Sequence, residues 1–200
     1  MKVFLARHGE TDRNRAKLLQ GRSDIPLNSR GTEQAEMLRE FFRKQGIRFD
    51  SVYSSPLQRA VMTAQIACGG ECRIITDERL LEMDYGPYEG SSLEHPSKEI
   101  LEFFRDFVHN PAPEGMESLA HVTHRMGQFL EELKQTDAEN VLIASHAIAV
   151  KGALEYLTPG ACGKYWSEYI GTCSVYRTEL KDGIYGIPEE VYSLNRELGV

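Results

Sequence analysis

The sequence contains no apolar run long enough to cross a bilayer, and it is short of positive charge. A membrane-spanning helix needs about 20 consecutive apolar residues. The amino terminus already carries charges at Lys2 and Arg7, too early for the core of a signal peptide. Because 23 Lys and Arg residues face 30 Asp and Glu residues, the net charge is −7, which argues against non-specific binding to nucleic acid or to an anionic membrane. We therefore expect a cytoplasmic protein with neither kind of partner.

Cysteine is also scarce. The four cysteines include no CxxC pair; they are Cys68, Cys72, Cys162 and Cys173. Free thiols are the ordinary state of such cysteines inside a cell. Cys68 and Cys72 lie four residues apart near a predicted helix end, so a metal or redox role is the alternative, and we favour thiols without such a role.

The apolar segments alternate between strand-like and helix-like patterns. Short apolar runs predict strands at residues 3–6, 51–54, 73–76, 140–145 and 173–177. Helical spacing predicts helices that open at Gly31 and at Pro56, and two more at residues 119–133 and 148–157. This alternation predicts an α/β fold, a three-layer sandwich whose mostly parallel sheet carries helices on both faces.

The length of 200 residues is enough for one well-packed domain and short for two. Residues 86–115 have weak periodicity and contain four prolines. We therefore expect a single domain over residues 1–200 with a small cap inserted at about residues 86–115.

Two histidines stand at the ends of predicted strands. Arg7 and His8 follow the apolar run at residues 3–6, and His146 follows the run at residues 140–145. Ligands bind at the carboxyl ends of the strands in open α/β sheets. Either histidine alone could equally be an ordinary polar residue at the end of a strand. Two histidines in equivalent positions favour a site for phosphoryl transfer through a phosphohistidine.

Two further segments supply an anion site and an acid. Residues 54–56 lead into a predicted helix whose first turn offers free N–H donors and carries Arg59, a suitable phosphate ligand. The loop after the third predicted strand contains Glu82, which is placed to donate a proton to a leaving group. Asp84 is the alternative acid, and Glu89 is better suited to bracing the loop.

A helical pair of histidines resembles a metal-binding pattern. His121 and His124 lie on the predicted helix at residues 119–133, but no cysteine or carboxylate with suitable spacing supports a metal site. We interpret both as surface residues.

Together these motifs resemble the histidine phosphatase superfamily, in its phosphoglycerate-mutase-like branch. The resemblance runs from the first strand to at least His146. It rests on residues 7–11 (RHGET), Asn14, residues 20–21 (QG), 27–31 (LNSRG), 54–60 (SSPLQRA), Glu82, Gly86, residues 89–90 (EG) and 145–146 (SH). Ala147 departs from the pattern, because glycine commonly follows the second histidine. Its methyl group is tolerable if the backbone there keeps a negative φ.

The resemblance implies a role for each residue. His8 is the nucleophile, Glu82 is the acid and then the base, and the phosphoryl oxygens are held by Arg7, Arg59 and His146. The substrate-binding residues implied are Thr11, Asn14, Gln20 and Gly21. The arginines supply positive charge that a metal supplies in other enzymes, so we expect neither a metal nor another cofactor.

Three functions remain open at this point. The leading hypothesis is a metal-independent phosphomonoesterase, monomeric or homodimeric, that acts on a small phosphorylated metabolite. The second is a cofactor-dependent phosphoglycerate mutase. Mutases of the family carry basic residues after the Glu-Gly loop, whereas residues 91–113 contain only Lys98 and Arg105 as fixed positive charges. The third is a phosphate-binding module without catalysis.

The predicted cap is rich in aromatic residues. It resembles the caps of both broad-specificity phosphatases and α-ribazole phosphatases. Phe103, Phe104 and Phe107 would either stack on a ring of the substrate or form the core of the cap itself. We favour a core role.

Overall fold

A computed structural model describes residues 1–70 and 72–194. The strands are β1 (Lys2–Arg7), β2 (Ser51–Ser54), β3 (Ile74–Thr76), β4 (Asn140–Ser145), β5 (Val175–Lys181), β6 (Ile184–Tyr185) and β7 (Glu189–Tyr192). The α-helices are α1 (Asp12–Arg15), α2 (Ser29–Lys44), α3 (Gln58–Ala67), α4 (Lys98–Arg105), α5 (Leu119–Leu133), α6 (Ala147–Leu157) and α7 (Lys164–Ser167). Short 3-10 helices cover Glu78–Leu80, Gly86–Tyr88 and Pro159–Ala161.

The strands form one mixed sheet in the order β3-β2-β4-β1-β5-β6, and β7 also pairs with β5. The first four strands along the chain are parallel to one another, and β5 runs antiparallel to β1. The predicted α/β fold with helices on both faces is confirmed. The antiparallel half was not predicted, because the apolar pattern of a strand does not encode its direction.

Two apolar clusters cover the two faces of the sheet. Helices α2 and α3 pack on one face, where Phe4 and Ala6 of β1 point. Helices α5 and α6 pack on the other face with Val3 and Leu5. Because successive side chains of a strand point to opposite faces, β1 and β4 are buried on both sides. This explains why each reads as a continuous apolar run rather than as an alternating one.

The register between β1 and β4 places the two histidines next to each other. The strands are parallel neighbours, and Arg7 lies opposite Ser145. The His8 N–H donates to the Ser145 carbonyl over 3.0 Å. His8 and His146, each one residue beyond its strand, therefore emerge side by side at the same edge of the sheet.

The starts of two helices differ from prediction. Helix α2 begins at Ser29 rather than Gly31, because the Asn28 side chain caps it by accepting from the Gly31 N–H over 2.8 Å. Helix α3 begins at Gln58, two residues after Pro56. The Gln58 N–H donates to Asp24 over 2.7 Å, so that end of α3 already holds an anionic group and does not offer all its N–H donors to a ligand.

Residues 86–115, the predicted cap, pack over the α5–α6 face. This segment contains α4, which was not predicted and which buries Ile100 and Phe103. Phe103, Phe104 and Phe107 contact one another with ring centroids 5.0 to 5.5 Å apart. They pack against the cluster of that face, and their mutual packing is the core arrangement that we favoured.

Candidate active site

A buried arginine joins the two histidines. The Arg59 Nε atom lies 3.3 Å from His8 Nε2 and 3.2 Å from His146 Nδ1. The two imidazole rings are 5.1 Å apart between centroids. Arg59 and His146 are fully buried, and His8 is 4% exposed. Three residues that the sequence separates by about 50 to 140 positions thus form one hydrogen-bonded group.

The other end of the Arg59 guanidinium is fixed by backbone. Its Nη1 donates to the Ser23 carbonyl over 2.8 Å, and its Nη2 donates to the Gly21 carbonyl over 2.7 Å. Burial lowers the pKa of Arg59 to about 10, and the nearby acids Glu82, Glu89 and Asp24 oppose that shift. The side chain remains a cation at neutral pH, and its planar fork is held in one orientation.

The hydrogen bonds determine which nitrogen of each histidine carries the proton. His8 Nδ1 lies 2.6 Å from the Gly9 carbonyl, which can only accept, so Nδ1 is protonated and Nε2 carries the lone pair. His146 Nδ1 accepts from Arg59, and its Nε2 donates to the Ser55 hydroxyl over 2.8 Å. Both rings are therefore neutral, with the His8 lone pair directed at the centre of the site.

Burial is also the main cause of a low pKa at both histidines. It lowers the pKa of His8 and of His146 well below the usual value of 6.5, and the positive charge of Arg59 lowers both further. Arg7 contributes in the same direction. At neutral pH His8 thus keeps the free lone pair that a nucleophile needs.

Arg7 borders this group. Its Nη1 donates to the Ile170 carbonyl over 2.5 Å, in the segment that precedes β5. Its buried Nε has no hydrogen-bond partner within the part of the chain that the structure describes. Because a buried donor without a partner costs free energy, this atom is a ready ligand for an anion.

The carboxylate of Glu82 lies at the amino end of α6, the helix that begins immediately after His146. Glu82 is 4% exposed, and its carboxylate accepts from the backbone N–H groups of Met83 (2.9 Å), Ala149 (3.1 Å) and Ile148 (3.2 Å). The helix dipole of α6 favours a carboxylate there. Asp84, the alternative acid, is exposed and accepts from the Gly86 N–H in its own turn. The geometry therefore favours Glu82.

An ion pair that the sequence did not reveal holds the Glu82 loop from both sides. Arg125 on α5 donates to the carbonyls of Arg79 and Leu81, each over 2.6 Å. Its partner Glu117, 2.7 Å away, accepts from the Asp84 N–H over 3.0 Å. The two residues lie more than 30 positions away from the loop in sequence, so no local pattern pointed to them.

The four predicted substrate-binding residues lie in and around the first short helix. Thr11 is fully buried and caps α1, accepting from the Asn14 N–H, while Asn14 Oδ1 accepts from the Thr11 N–H. The Thr11 hydroxyl also lies 2.6 Å from Gln20 Oε1. The buried Gln20 Nε2 has no partner among the described residues, so Gln20 offers a donor. Thr11 serves chiefly to position Asn14 and Gln20.

Gly21 belongs to the site through its backbone. Its carbonyl holds Arg59, and its N–H donates to Glu89 over 2.9 Å. A side chain at this position would collide with the Met83 carbonyl, in the loop that carries Glu82. Glu89 also accepts from the Ser23 N–H and pairs with Arg13 over 2.9 Å, so it fixes the loop at residues 20–23.

The structure also gives the surroundings of Ala147, His121 and His124. Ala147 is the first residue of α6, with a helical backbone, so its methyl group is accommodated. His121 is exposed, but it lies 2.7 Å from Glu117 and so joins that ion pair. His124 is exposed. Within residues 1–70 and 72–194, no three His, Cys, Asp or Glu residues come together as a metal site.

Residues 3–187 match the family described as the histidine phosphatase superfamily (branch 1). The chain belongs to this superfamily.

Relatives of this histidine phosphatase are named either as phosphatases or as phosphoglycerate mutases. It is 33% identical to phosphoserine phosphatase 1 of Hydrogenobacter thermophilus, over 84% of this chain and 81% of the relative. It is 37% identical to a probable phosphoglycerate mutase, GpmB, of Serratia proteamaculans, over 75% and 71%. A mutant phosphoserine phosphatase of Entamoeba histolytica, crystallised with phosphoserine, has a TM-score of 0.79 and 26% identity, covering 96% of this chain and 95% of the other.

No helix within the described residues is both long and apolar enough to cross a membrane.

Proposed function

We propose that this histidine phosphatase hydrolyses phosphomonoesters of small metabolites through a phosphohistidine on His8, without a metal or another cofactor. The observation that carries the proposal is the neutral His8 ring, whose Nε2 lone pair lies 3.3 Å from a buried guanidinium. A phosphate placed there meets a nucleophile and a fixed cation together. Its oxygens take over the Arg59 N–H bond that Nε2 now accepts.

In the first step, His8 Nε2 forms a bond to phosphorus while the bond from phosphorus to the leaving oxygen breaks. The Glu82 carboxyl group gives a proton to that oxygen and is left as a carboxylate. The charge on the phosphoryl oxygens is stabilised by Arg59, by the free Nε of Arg7 and by His146, which becomes a donor on Nδ1 when the bound dianion offsets the charge of the arginines. Asn14 and Gln20 contribute neutral donors at the entrance.

In the second step, water attacks the phosphohistidine. Glu82, now a carboxylate, accepts the proton of the attacking water, and the bond from phosphorus to His8 Nε2 breaks. Phosphate leaves, and Glu82 is again protonated. Splitting one difficult displacement into two easier ones is the advantage of covalent catalysis.

The second candidate is a phosphoglycerate mutase, since a relative at 37% identity is named as a probable one. The cap argues for the phosphatase. Its two fixed cations, Lys98 and Arg105, are both exposed on α4, and the interior of the cap is aromatic. Relatives named phosphoserine phosphatase support the same choice.

The proposal extends to organisation and location. We propose one domain over residues 1–200 with a cap at about residues 86–115, acting in the cytoplasm as a monomer or homodimer. Free thiols at Cys68, Cys162 and Cys173 are compatible with a reducing compartment.

The test compares wild type with His8→Ala, and with His124→Ala as a control on an exposed histidine outside the site. Each protein is assayed with p-nitrophenyl phosphate in EDTA, and phosphoenzyme is sought by intact mass after an alkaline quench. We expect turnover and a one-phosphoryl adduct in wild type and control, and neither in His8→Ala. Isomerisation of 3-phosphoglycerate in the presence of its bisphosphate, without phosphate release, would instead establish the mutase. No activity in either assay would leave the phosphate-binding module.

A further inference from the structure

A lysine is buried on α6, where the mechanism above does not use it. Lys151 is 8% exposed. Its ammonium donates to the Trp166 carbonyl over 2.8 Å and lies 5.3 Å from the centre of the Phe107 ring. No carboxylate lies within ion-pair distance of it in the described structure. Buried lysines are normally paired, so a solitary one with two further N–H donors is unusual.

The position of Lys151 connects it to the active site. It follows Ala147 by four residues in α6, and residues four apart lie on the same face of a helix. Side chains of a helix lean toward its amino terminus, which here is the end that holds Glu82. Arg7 is close as well, because Arg7 and Lys151 donate to carbonyls of the same short segment, at Ile170 and Trp166.

Charge around Lys151 agrees with this placement. Burial lowers its pKa to about 8, while Glu82 and Glu168 raise it and Arg7 lowers it. Glu82 and Arg7 are thus near enough to act on the ammonium electrostatically. The group is cationic at neutral pH, and a second anion beside it would stabilise that charge.

We propose that Lys151 binds a carboxylate of the substrate whose phosphate lies on His8 and Arg59. The preferred substrates are then phosphomonoesters of small carboxylic acids, such as phosphoserine or a phosphoglycerate. This inference rests on the proposed phosphatase function and specifies its substrate class. Lys151 is largely shielded from water, with Phe107 against its ammonium, which strengthens its attraction for a carboxylate.

The test uses substrates that differ only by the carboxylate. O-phosphoserine is compared with O-phosphoethanolamine, and 3-phosphoglycerate with 2-hydroxyethyl phosphate. The variants are Lys151→Met, which keeps the length and the apolar stem, and Lys151→Arg, which keeps the charge. Melting temperatures confirm folding, and Lys151→Gln replaces Lys151→Met if the latter does not fold.

We expect wild type to prefer the carboxylate member of at least one pair. Lys151→Met should lower kcat/KM for that substrate by roughly 10- to 100-fold, mainly through KM, because one charge-assisted hydrogen bond is lost. The kcat/KM of Lys151→Met for the carboxylate-free counterpart should change little, and Lys151→Arg should keep part of the preference for the carboxylate substrate. An equal loss for both members of the pair, or no preference in wild type, would overturn the proposal, since a purely structural lysine affects both substrates alike.

The pH profile gives a second readout. Because the free-enzyme pKa of Lys151 is about 8, KM for the carboxylate substrate should rise above that pH more steeply than KM for its counterpart. Parallel profiles would count against the proposal.

Failure of the phosphatase function itself is distinguishable. If wild type hydrolyses none of the four compounds, calorimetric titration of the same pairs into His8→Ala and into His8→Ala/Lys151→Met tests the subsite alone. Tighter binding of the carboxylate compound that is lost in the double variant supports the subsite without hydrolysis. Equal binding within each pair refutes it.

Discussion

Replacing Glu82 by glutamine removes the proposed proton donor while keeping the shape of the side chain. In the structure, one carboxylate oxygen accepts from the N–H groups of Met83 and Ala149, and the other accepts from Ile148. The amide oxygen can keep the first pair of bonds. The amide NH2 then faces the Ile148 N–H, so one hydrogen bond is lost and two donors oppose each other. We expect a decrease of about 1–3 kcal/mol in the free energy of unfolding, small enough for Glu82→Gln to remain folded.

The catalytic effect depends on the leaving group. General acid catalysis contributes about 10²- to 10⁴-fold, and an alkoxide needs the proton whereas p-nitrophenolate leaves without it. Phosphorylation of His8 should therefore slow by about that factor with phosphoserine and much less with p-nitrophenyl phosphate. Hydrolysis of the phosphohistidine needs Glu82 as base with either substrate, so this later step should be slow in both cases.

Stopped-flow measurement separates the two steps. Glu82→Gln should release about one equivalent of p-nitrophenol in a burst and then turn over slowly, because acyl- or phosphoenzyme accumulation gives burst kinetics. Phosphoserine should give no burst. The exposed Asp84 serves as a matched control, and Asp84→Asn should behave as wild type. If Glu82→Gln slows phosphorylation equally with both substrates, or if Asp84→Asn reproduces its effect, Glu82 is not the leaving-group acid.

Three other predictions concern packing, charge geometry and pH. Gly9→Ala should lower the free energy of unfolding by about 1–3 kcal/mol, because the added Cβ would collide with the Gly31 carbonyl; an unchanged urea midpoint would contradict this. Arg59→Lys keeps the charge but leaves the Ser23 and Gly21 carbonyls without donors, so both the melting temperature and kcat/KM should fall. If neither falls, the guanidinium is not needed to hold these carbonyls. Because the pKa values of His8 and His146 are lowered in the folded state, the unfolded chain binds more protons than the folded one below pH 6.5. The free energy of unfolding should therefore decrease as the pH is lowered from 6.5, by up to about 1.4 kcal/mol per pH unit for each histidine. A flat profile between about pH 6.5 and 5, relative to a His146→Gln control, would refute that assignment.

The sequence predicted best the elements whose patterns are decided locally. Helix α5 covers the predicted residues 119–133, because its apolar stripe is long and regular. Strand β4 covers the predicted residues 140–145, because burial on both faces leaves a continuous apolar run. Both elements could be predicted without knowing what packs against them. The position of His146 at the end of a strand followed from the prediction of β4.

Other elements carried signals that were weaker or overlooked. The turn between β5 and β6 is formed by Asp182 and Gly183, both at positive φ, and Asp-Gly is a strong hairpin signal. Helix α4 has only eight residues, and the prolines around it obscured its periodicity. Lys151 stood in the apolar sequence of α6, where a charged residue on a helix buried nearly all round already indicated a special position.

The remaining parts of the site depend on contacts between distant segments. Nothing local links Arg125 to the carbonyls beside Glu82, or Asp24 to the start of α3. The prediction of free N–H donors at the start of α3 was wrong for Gln58, because the Gln58 N–H is bound to Asp24. Burial, more than the charge of the neighbouring arginines, is also the cause of the low pKa of His8. Burial is a property of the whole fold, so spacing along the chain does not reveal it.

The cations of the site also bear on the choice between phosphatase and mutase. A carboxylate bound at Lys151 suits both, because phosphoserine and phosphoglycerate carry one. A mutase, however, must hold a bisphosphorylated intermediate while the phosphoryl group returns from His8, and two phosphates require more positive charge than one. In the described structure Lys98 and Arg105 are exposed on α4, and Arg125 is already paired with Glu117. The cations that we propose to hold the substrate are therefore Arg7, Arg59 and Lys151. These suffice for one phosphate and one carboxylate. After the first transfer we therefore expect the dephosphorylated product to keep only its contact with Lys151, to leave readily, and to be replaced at the phosphohistidine by water.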